Sequence, residues 1–448
     1  MPQRPNILYI FTDQQSGAAM SCAGNPDLAT PAMDRLASAG TRFDLAYCTQ
    51  PLCTPSRASM FTGRMPHECK TPRNGQSIAE DLRPFELGRV FQQAGYDCFY
   101  GGKWHVPQIA MPPENDHGFR VFAGFNDRLL TGACIDTLRA WAGQPAHSRQ
   151  PFLMVASFDN PHNICEWARN MPLPWGEIGA PPPPRECPNL PPNFAPAPFE
   201  PEIVRVEQAC NWVIYPYRLR APEDWRQLRW AYFRLVEKVD RELGRILDAL
   251  AELGLQDDTV VVFSSDHGDG HGAHQWNQKS ALFEEVVRIP LIVRAPGGKS
   301  GVCDHNHLVS NGLDLLPTLC DYAGICPPPG LRGGSLRPLV EGREPPAAWR
   351  DSLVVETIFD GGRGYDTAGR ALRTRQHKYV LYDRGRYREQ LFDMERDPGE
   401  IVNLAVESRH QELLNDCRRR LAAALRETGD PFKVPAPEPG RDSMTGVQ

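Results

Sequence analysis

Short, unbroken apolar runs alternate along this chain with longer stretches in which apolar side chains recur every three or four positions. Residues 7–11, 152–158, 259–264 and 289–293 are runs of the first kind, with the shorter 98–100 beside them. Their length and β-branched content suit strands buried on both faces of a parallel sheet. Residues 31–40, 85–95, 313–323 and 225–253 are of the second kind. In the last of these Leu235, Val239, Leu243, Ile246 and Leu250 form one apolar stripe, the mark of a helix packed on a core. Pro31 opens its segment and Gly40 and Gly95 close theirs, as helix starts and stops require. The alternation predicts an α/β sandwich around a large, mostly parallel sheet.

The pattern breaks between 163 and 224 into proline- and tryptophan-bearing segments, including 181–184 and Pro191-Pro192. This reads as an ordered, loop-rich insertion near the site rather than a linker. From about 350 the character changes to short strand candidates at 353–357, 370–374, 378–382 and 389–393. A closing helix over 408–427 follows, with Ser408 placed to cap its first turn. Two parts are therefore expected: a large N-terminal domain, 1–349, and a C-terminal subdomain, 350–448, with a small antiparallel sheet and a helix.

A chain of 448 residues can bury a large core, and a net charge of -6 argues against a nucleic-acid binder. No apolar run reaches the roughly 18–20 residues of a membrane span. Met1–Pro5 leads straight into the first strand, which reads as cytoplasmic as written, or periplasmic or secreted if a leader has been removed. The thirteen cysteines are odd in number and lack the spacing of a disulfide scaffold or a zinc site.

Polar residues stand where the buried runs end, which is where open α/β sheets place their sites. Thr12-Asp13-Gln14-Gln15, Asp159-Asn160-Pro161-His162 and Ser265-Asp266-His267-Gly268 occupy such positions. Asp13 and Asp266 are far apart in sequence but can meet at one sheet edge, where carboxylates suit a hard divalent cation. A strand-end aspartate alone is as readily a turn residue. In Cys53-Thr54-Pro55-Ser56-Arg57 the proline suits the first turn of a helix. That sets Cys53 at a helix N-terminus among unpaired backbone donors, with Arg57 one turn further on the same face. Such a corner suits an anion, although a lone cysteine there is otherwise an ordinary small buried side chain. Lys103 and His105 are two apart and would share one face of an extended backbone.

The twelve residues 53–64, Cys-x-Pro-Ser-Arg followed by Thr-Gly-Arg, resemble the signature of the type I, formylglycine-dependent sulfatases of the alkaline phosphatase-like superfamily. Gly102-Lys103-Trp104-His105 resembles that family's Gly-Lys-Trp-His segment, Pro161-His162 its Pro-His element, and 393–404 its C-terminal turn. The likeness runs from Asn6 to about Leu404, with 163–224 unmatched. It implies that a separate maturation enzyme converts Cys53 to 3-oxoalanine (formylglycine), whose hydrated aldehyde is the nucleophile. It also implies one divalent cation held by Asp13, Gln14, Cys53, Asp266 and His267. Gln14 stands where the family has a second early carboxylate, so the cage loses a formal negative charge. Calcium is the expected cation, and manganese is the alternative that an imidazole ligand suits.

The same resemblance implies that Arg57 orients the formylglycine and that Lys103, His162 and Lys279 meet the sulfate. His105 is implied to take the proton whose removal lets the sulfated intermediate collapse. The Asp-Gln and Asp-His pairs are also those of choline-sulfatases and phosphonate monoester hydrolases. The expected function is removal of sulfate from a sulfated carbohydrate, a glycosaminoglycan or algal polysaccharide fragment. Hydrolysis of a phosphonate monoester or phosphodiester at the same site is the alternative. The expected partners are a sulfated saccharide or other small sulfate ester and the maturation enzyme, with no nucleic acid and no membrane; monomer and homo-oligomer both stay open.

In the insertion, Trp167, Trp175, Trp212, Tyr215 and Tyr217 offer faces for a sugar ring, and Arg205, Arg218 and Arg220 charge for a uronate or second sulfate. Such aromatics serve equally to pin an excursion to the body of a protein. His271, His274, Arg373 and His377 are weaker candidates. A non-catalytic binding protein of the same fold is disfavoured, because it need not keep Cys53, Arg57, Lys103, His105 and Lys279 together.

Overall fold

A computed structural model describes residues 4–112, 117–345, 349–359 and 366–438. An eight-stranded sheet forms its centre. Arg120–Ala123, Asp97–Gly102, Phe152–Pro161, Asn6–Asp13 and Thr259–Ser265 lie side by side and parallel. Leu291–Arg294 then runs antiparallel, and Thr41–Phe43 and Val302–Asp304 complete the sheet. The alternation of side chains explains why the central runs are apolar at consecutive positions. Ile7, Tyr9 and Phe11 enter the core on one face, with Leu153, Val155, Val260 and Val262. Leu8 and Ile10 enter the core on the other, with Met154, Ala156, Val261 and Phe263. A strand covered on both faces has no polar face to present to water.

Helices Cys53–Thr62, Leu87–Gln93 and Asn311–Ala323 cover the first face, and Pro31–Ser38, Asp127–Ala142 and Pro222–Glu252 the second. Phe61 stacks on Trp104 with ring centroids 4.7 Å apart, which ties the helix headed by Cys53 to the segment carrying Lys103 and His105. Each large apolar side chain so buried contributes about 1.5–3 kcal/mol.

The chain departs from the sequence expectation in identifiable places. Helices Asp127–Ala142 and Glu202–Cys210 and the strands Arg120–Ala123, Thr41–Phe43 and Val302–Asp304 were not anticipated. Those strands have three or four residues and mixed polarity, too short for any periodicity to register. The last helix begins at Gln411, not Ser408, which lies in the preceding 3₁₀ turn Ser408–His410 and makes no capping bond to the helix.

The strands Ser352–Phe359, Thr367–Thr374, His377–Tyr382 and Glu389–Asp393 form an antiparallel sheet in chain order. Helix Gln411–Thr428 covers one face, with Leu414, Leu421 and Leu425 against Leu372, Leu381 and Leu391. Val355, Ala371, Val380 and Tyr382 turn the other way into the main core. Polar ties reinforce this join. Lys378 Nζ lies 3.2 Å from Glu284 and 2.7 Å from Glu400. His67 meets Glu356 Oε1 through Nδ1 at 2.5 Å and Thr428 O through Nε2 at 3.1 Å. With an oxygen acceptor at each nitrogen, both bonds are made only by the imidazolium. Burial opposes that charge, but Glu356, Thr428 O and Asp430 outweigh it and raise the His67 pKa. No helix among the described residues is long and apolar enough to cross a membrane.

Two predictions test this framework. At Gly102, φ is +94° and an added Cβ would lie 1.9 Å from Ser157 O. Gly102→Ala is expected to cost about 3 kcal/mol or more in urea unfolding. A histidine whose folded pKa is raised stabilises the fold below its unfolded pKa, and that stabilisation is lost as pH rises through the folded value. His67→Gln should therefore cost about 1–2 kcal/mol at pH 6, and denaturation midpoints should converge with the parent as pH rises.

Candidate active site

Parallel strands bring their C-terminal ends to one edge of the sheet, and that edge gathers the polar residues. Asp13 ends the first strand, Asp266 and His267 follow its neighbour on one side, and Asp159 and His162 mark the end of its neighbour on the other. Lys103 follows Asp97–Gly102, one strand further along. Cys53 opens the facing helix, all ten residues of which are buried, with Pro55 in the first turn. Thr54 Oγ1 donates to His105 O at 2.7 Å, Ser56 Oγ to Asp266 O at 2.5 Å, and Thr54 N–H to Asn74 Oδ1 at 3.0 Å. These bonds fasten the helix start to the loops around it.

Arg57, one turn on from Cys53, is completely buried. Its Nη2 donates to Asp13 Oδ2 at 2.9 Å and its Nε to Asp266 Oδ2 at 2.8 Å. Its Nη1 donates to Lys103 O at 2.5 Å and Ser157 Oγ at 3.0 Å. The guanidinium thus holds both carboxylates and the strand end that carries Lys103. Lys103 Nζ lies 2.9 Å from both Asp13 Oδ2 and Asp159 Oδ1. Asp159 also accepts from Asn163 Nδ2 at 2.8 Å and Trp175 Nε1 at 2.7 Å.

Cys53 Sγ marks the place of the oxygens that a formylglycine diol would carry. It is 3.2 Å from Lys279 Nζ, 3.4 Å from His267 Nε2 and 3.6 Å from Asp13 Oδ1. Burial and Asp13 push the thiol pKa up, yet Lys279, Lys103 and His267 outweigh them and hold it well below the ordinary range. Burial likewise raises Asp13, but Lys103, His162, Arg57 and Lys279 keep that carboxyl well below the usual carboxylate range. Asp266 goes the other way, raised by burial and then by the charge of Asp13. Burial and the two lysines hold the His162 pKa well down, so its imidazole is neutral.

The donor set fits a divalent cation. Ligand atoms of Asp13, Cys53, Asp266 and His267 all lie within 4.8 Å of one another, and all four residues are buried. His267 Nδ1 lies 2.9 Å from Gly268 O. The carbonyl takes the Nδ1 proton, so Nε2 is the nitrogen that would face a cation; it stands 3.7–3.8 Å from the carboxylates, beyond hydrogen-bond reach. A cation there would offset the like charge that raises Asp266. Gln14 is oriented to join them: its Nε2 donates to Asp269 Oδ2 at 2.7 Å, and its Oε1 accepts from Lys279 Nζ at 3.0 Å. Gln14, His105, Gln278 and Ser280 all have left-handed backbone, with φ between 57° and 75°. Such strain, which the surrounding contacts must hold in place, is usual where function dictates geometry.

Of the residues named from the sequence, Asp13, Gln14, Cys53, Arg57, Lys103, Asp266, His267 and Lys279 are joined by these contacts. His162 stands 4.0 Å from Asp159 and lines a cavity with Lys279. His105 joins through its carbonyl to Thr54, and its Nδ1 is buried without a partner among the described residues. Arg205 is engaged by Glu200, Gln208 and His274 O. Arg373 is held by Tyr47 and Thr374, His271 stacks on Tyr232, and His274 stacks on Phe283. The sequence marked Asp159 only as part of a strand-end segment, without a role, and did not mark Asp269, two residues after His267.

A model of the family described as Sulfatase matches residues 5–325, and one described as N-sulphoglucosamine sulphohydrolase, C-terminal, matches 272–427. The chain is 30% identical to a Delta 4,5-hexuronate-2-O-sulfatase of Bacteroides thetaiotaomicron, over 96% of this chain and 91% of that one. It is 29% identical to an ulvan-active sulfatase of Formosa agariphila, over 96% and 83%. Its fold superimposes on the solved structure of a 2-O GAG sulfatase with a TM-score of 0.83 at 28% identity, covering 97% of this chain and 95% of that one. With its Cys53 signature at the head of a buried helix, facing a cluster suited to a divalent metal, the chain belongs to the type I, formylglycine-dependent sulfatases of the alkaline phosphatase-like superfamily.

Proposed function

We propose that this enzyme removes sulfate from a sulfated carbohydrate, with Cys53 as formylglycine and a single calcium ion. The observation that carries the reading is the position of Cys53 Sγ, 3.2 Å from Lys279 Nζ, 3.4 Å from His267 Nε2 and 3.6 Å from Asp13 Oδ1. The saccharide sulfates and polysaccharide named for the relatives support a sugar substrate. The oxygen-rich donors Asp13, Gln14 and Asp266 favour calcium. The residues assigned to the chemistry lie between 13 and 279, which supports a catalytic domain at 1–349 that the 350–448 subdomain closes.

Formylglycine supplies a hydrated aldehyde for attack on sulfur, and the cation, when bound, supplies positive charge beside it. The side chains do the rest. Lys103 and Lys279 face the sulfuryl oxygens as positive charges. Before conversion, the charge of the Cys53 thiolate and that of Asp13 outweigh burial and raise the Lys279 pKa. With His162 held neutral, Lys279 is the group that carries a proton for the leaving alcohol. The buried, unpartnered His105 Nδ1 is free to accept the proton whose loss releases sulfate. Arg57 acts as the brace of Asp13, Asp266 and the Lys103 carbonyl.

Structure sorts the aromatics of the insertion. Tyr215 packs on Trp276, Tyr217 on Trp225, and Trp175 is bonded to Asp159. Trp212 is 70% exposed, two residues from Ile214 on the cavity wall, and offers its face to a ring beyond the reacting one.

The test is turnover of 4-nitrophenyl sulfate beside a matched phosphonate monoester, with Cys53 conversion verified by peptide mass. Preference for sulfate is expected, and preference for the phosphonate would replace this reading with the diesterase one. Cys53→Ala and Lys279→Met should each lower kcat/KM by about 10³-fold or more; full-rate turnover by Cys53→Ala would exclude the nucleophile. Asp159→Asn, which weakens the hold on Lys103, should cost about 10- to 100-fold. Elemental analysis should find one divalent cation per chain in the parent and a loss of occupancy in Asp13→Asn. Chelation should abolish turnover, and calcium should restore it.

A further inference from the structure

The cavity beside Cys53 has a second charged wall whose chemistry the sulfate does not use. Its volume is ≈ 260 Å³, at the small end of sites that are typically about 300–1,000 Å³ for drug-sized ligands, which suits one sugar ring rather than several. His162 and Lys279 line its reacting end, and Arg73, Asn74, Arg169 and Glu207 line the remainder. Arg169 follows the short helix Ile164–Ala168, which starts two residues after His162, so the two residues bracket one helix.

The charged groups of this wall differ in what already holds them. Arg73 is 2.7 Å from Asp366, and Glu207 Oε1 accepts from Asn211 Nδ2 at 2.6 Å. Arg169 is braced, and although its charge acts on Glu166 three residues earlier, the two make no ion-pair contact. Its Nε donates to Val213 O at 3.0 Å, and among the described residues Nη1 and Nη2 have neither a hydrogen-bond acceptor nor an ion-pair partner. One edge of the guanidinium is therefore anchored while the other presents a permanently charged fork to the cavity. That fork matches the two oxygens of a carboxylate or a sulfate. Arg205, the other arginine of the insertion close to the site loop, is fully engaged by Glu200, Gln208 and His274 O and has no such edge to offer.

We propose that Arg169 is a specificity residue that binds a second anionic group, a carboxylate or a further sulfate, on the same sugar ring whose sulfate ester meets Cys53. The substrate class is then a doubly charged sugar sulfate rather than a sulfated neutral hexose. This inference rests on the sulfatase reading above.

The test compares kcat/KM for a monosulfated uronic acid, a disulfated hexose, a monosulfated neutral hexose and 4-nitrophenyl sulfate, using protein with verified formylglycine. The parent enzyme should prefer one or both doubly charged sugars to the neutral hexose sulfate by about 10- to 100-fold. Arg169→Ala should collapse that ratio to within about threefold of unity, chiefly through KM, and Arg169→Lys should restore part of it. A preference confined to the uronate identifies the second group as carboxylate, and one confined to the disulfated hexose identifies it as sulfate. A parent ratio near unity, or an unchanged ratio in Arg169→Ala, would overturn the inference while leaving the sulfatase reading intact. Failure of the parent to hydrolyse any of the four sulfates would overturn both.

Discussion

The active site hangs on one buried guanidinium. Arg57 bridges Asp13 and Asp266, which come from adjacent strands, and also grips the carbonyl of Lys103, from the end of a third. An isolated charge of this kind would be prohibitively costly to bury, and two carboxylates without it would repel each other. With its donors engaged and the Phe11 ring 5.1 Å from its central carbon, the charge becomes a fixed part of the scaffold. Burial lowers the Arg57 pKa, but Asp266 and Asp13 raise it by more, so the group is always ionised.

The helix that begins with Cys53 can be wholly buried because Arg57 and Ser56 bond the loops it faces. Its first turn is thereby held against the strand ends to within hydrogen-bond precision. A second tier of carboxylates aims the first: Asp159 positions Lys103, and Asp269 turns the Gln14 amide so that its oxygen faces inward. The left-handed backbone at Gln14 and His105 is strain that these contacts outweigh.

Gln14 brings an amide rather than a further charge to this crowd of carboxylates. The charge of Asp13 already helps burial to raise Asp266, and the Gln14 amide oxygen, which accepts from Lys279, adds no further charge beside them. The C-terminal sheet contributes indirectly. Glu284 and Glu400, joined through Lys378, tie it to the chain just beyond Lys279, and Val355 and Tyr382 place its inner face in the main core.

Much of this was legible in the sequence, for a physical reason. Strands buried on both faces are apolar for most of their length, so 7–11, 152–158 and 259–264 declared themselves, and the polar residues at their ends marked the edge where the site residues gather. Pro55 and Arg57 likewise announced the helix start through local geometry alone. Tertiary structure decided what depends on partners distant in the chain. Tyr215 and Trp175 serve packing while Trp212 stays exposed, Arg205 is engaged while Arg169 keeps a free edge, and Asp159 and Asp269 act as orienting groups. Whether an arginine is a brace or a binding residue depends on which acceptors surround it, and residues hundreds of positions away supply those acceptors.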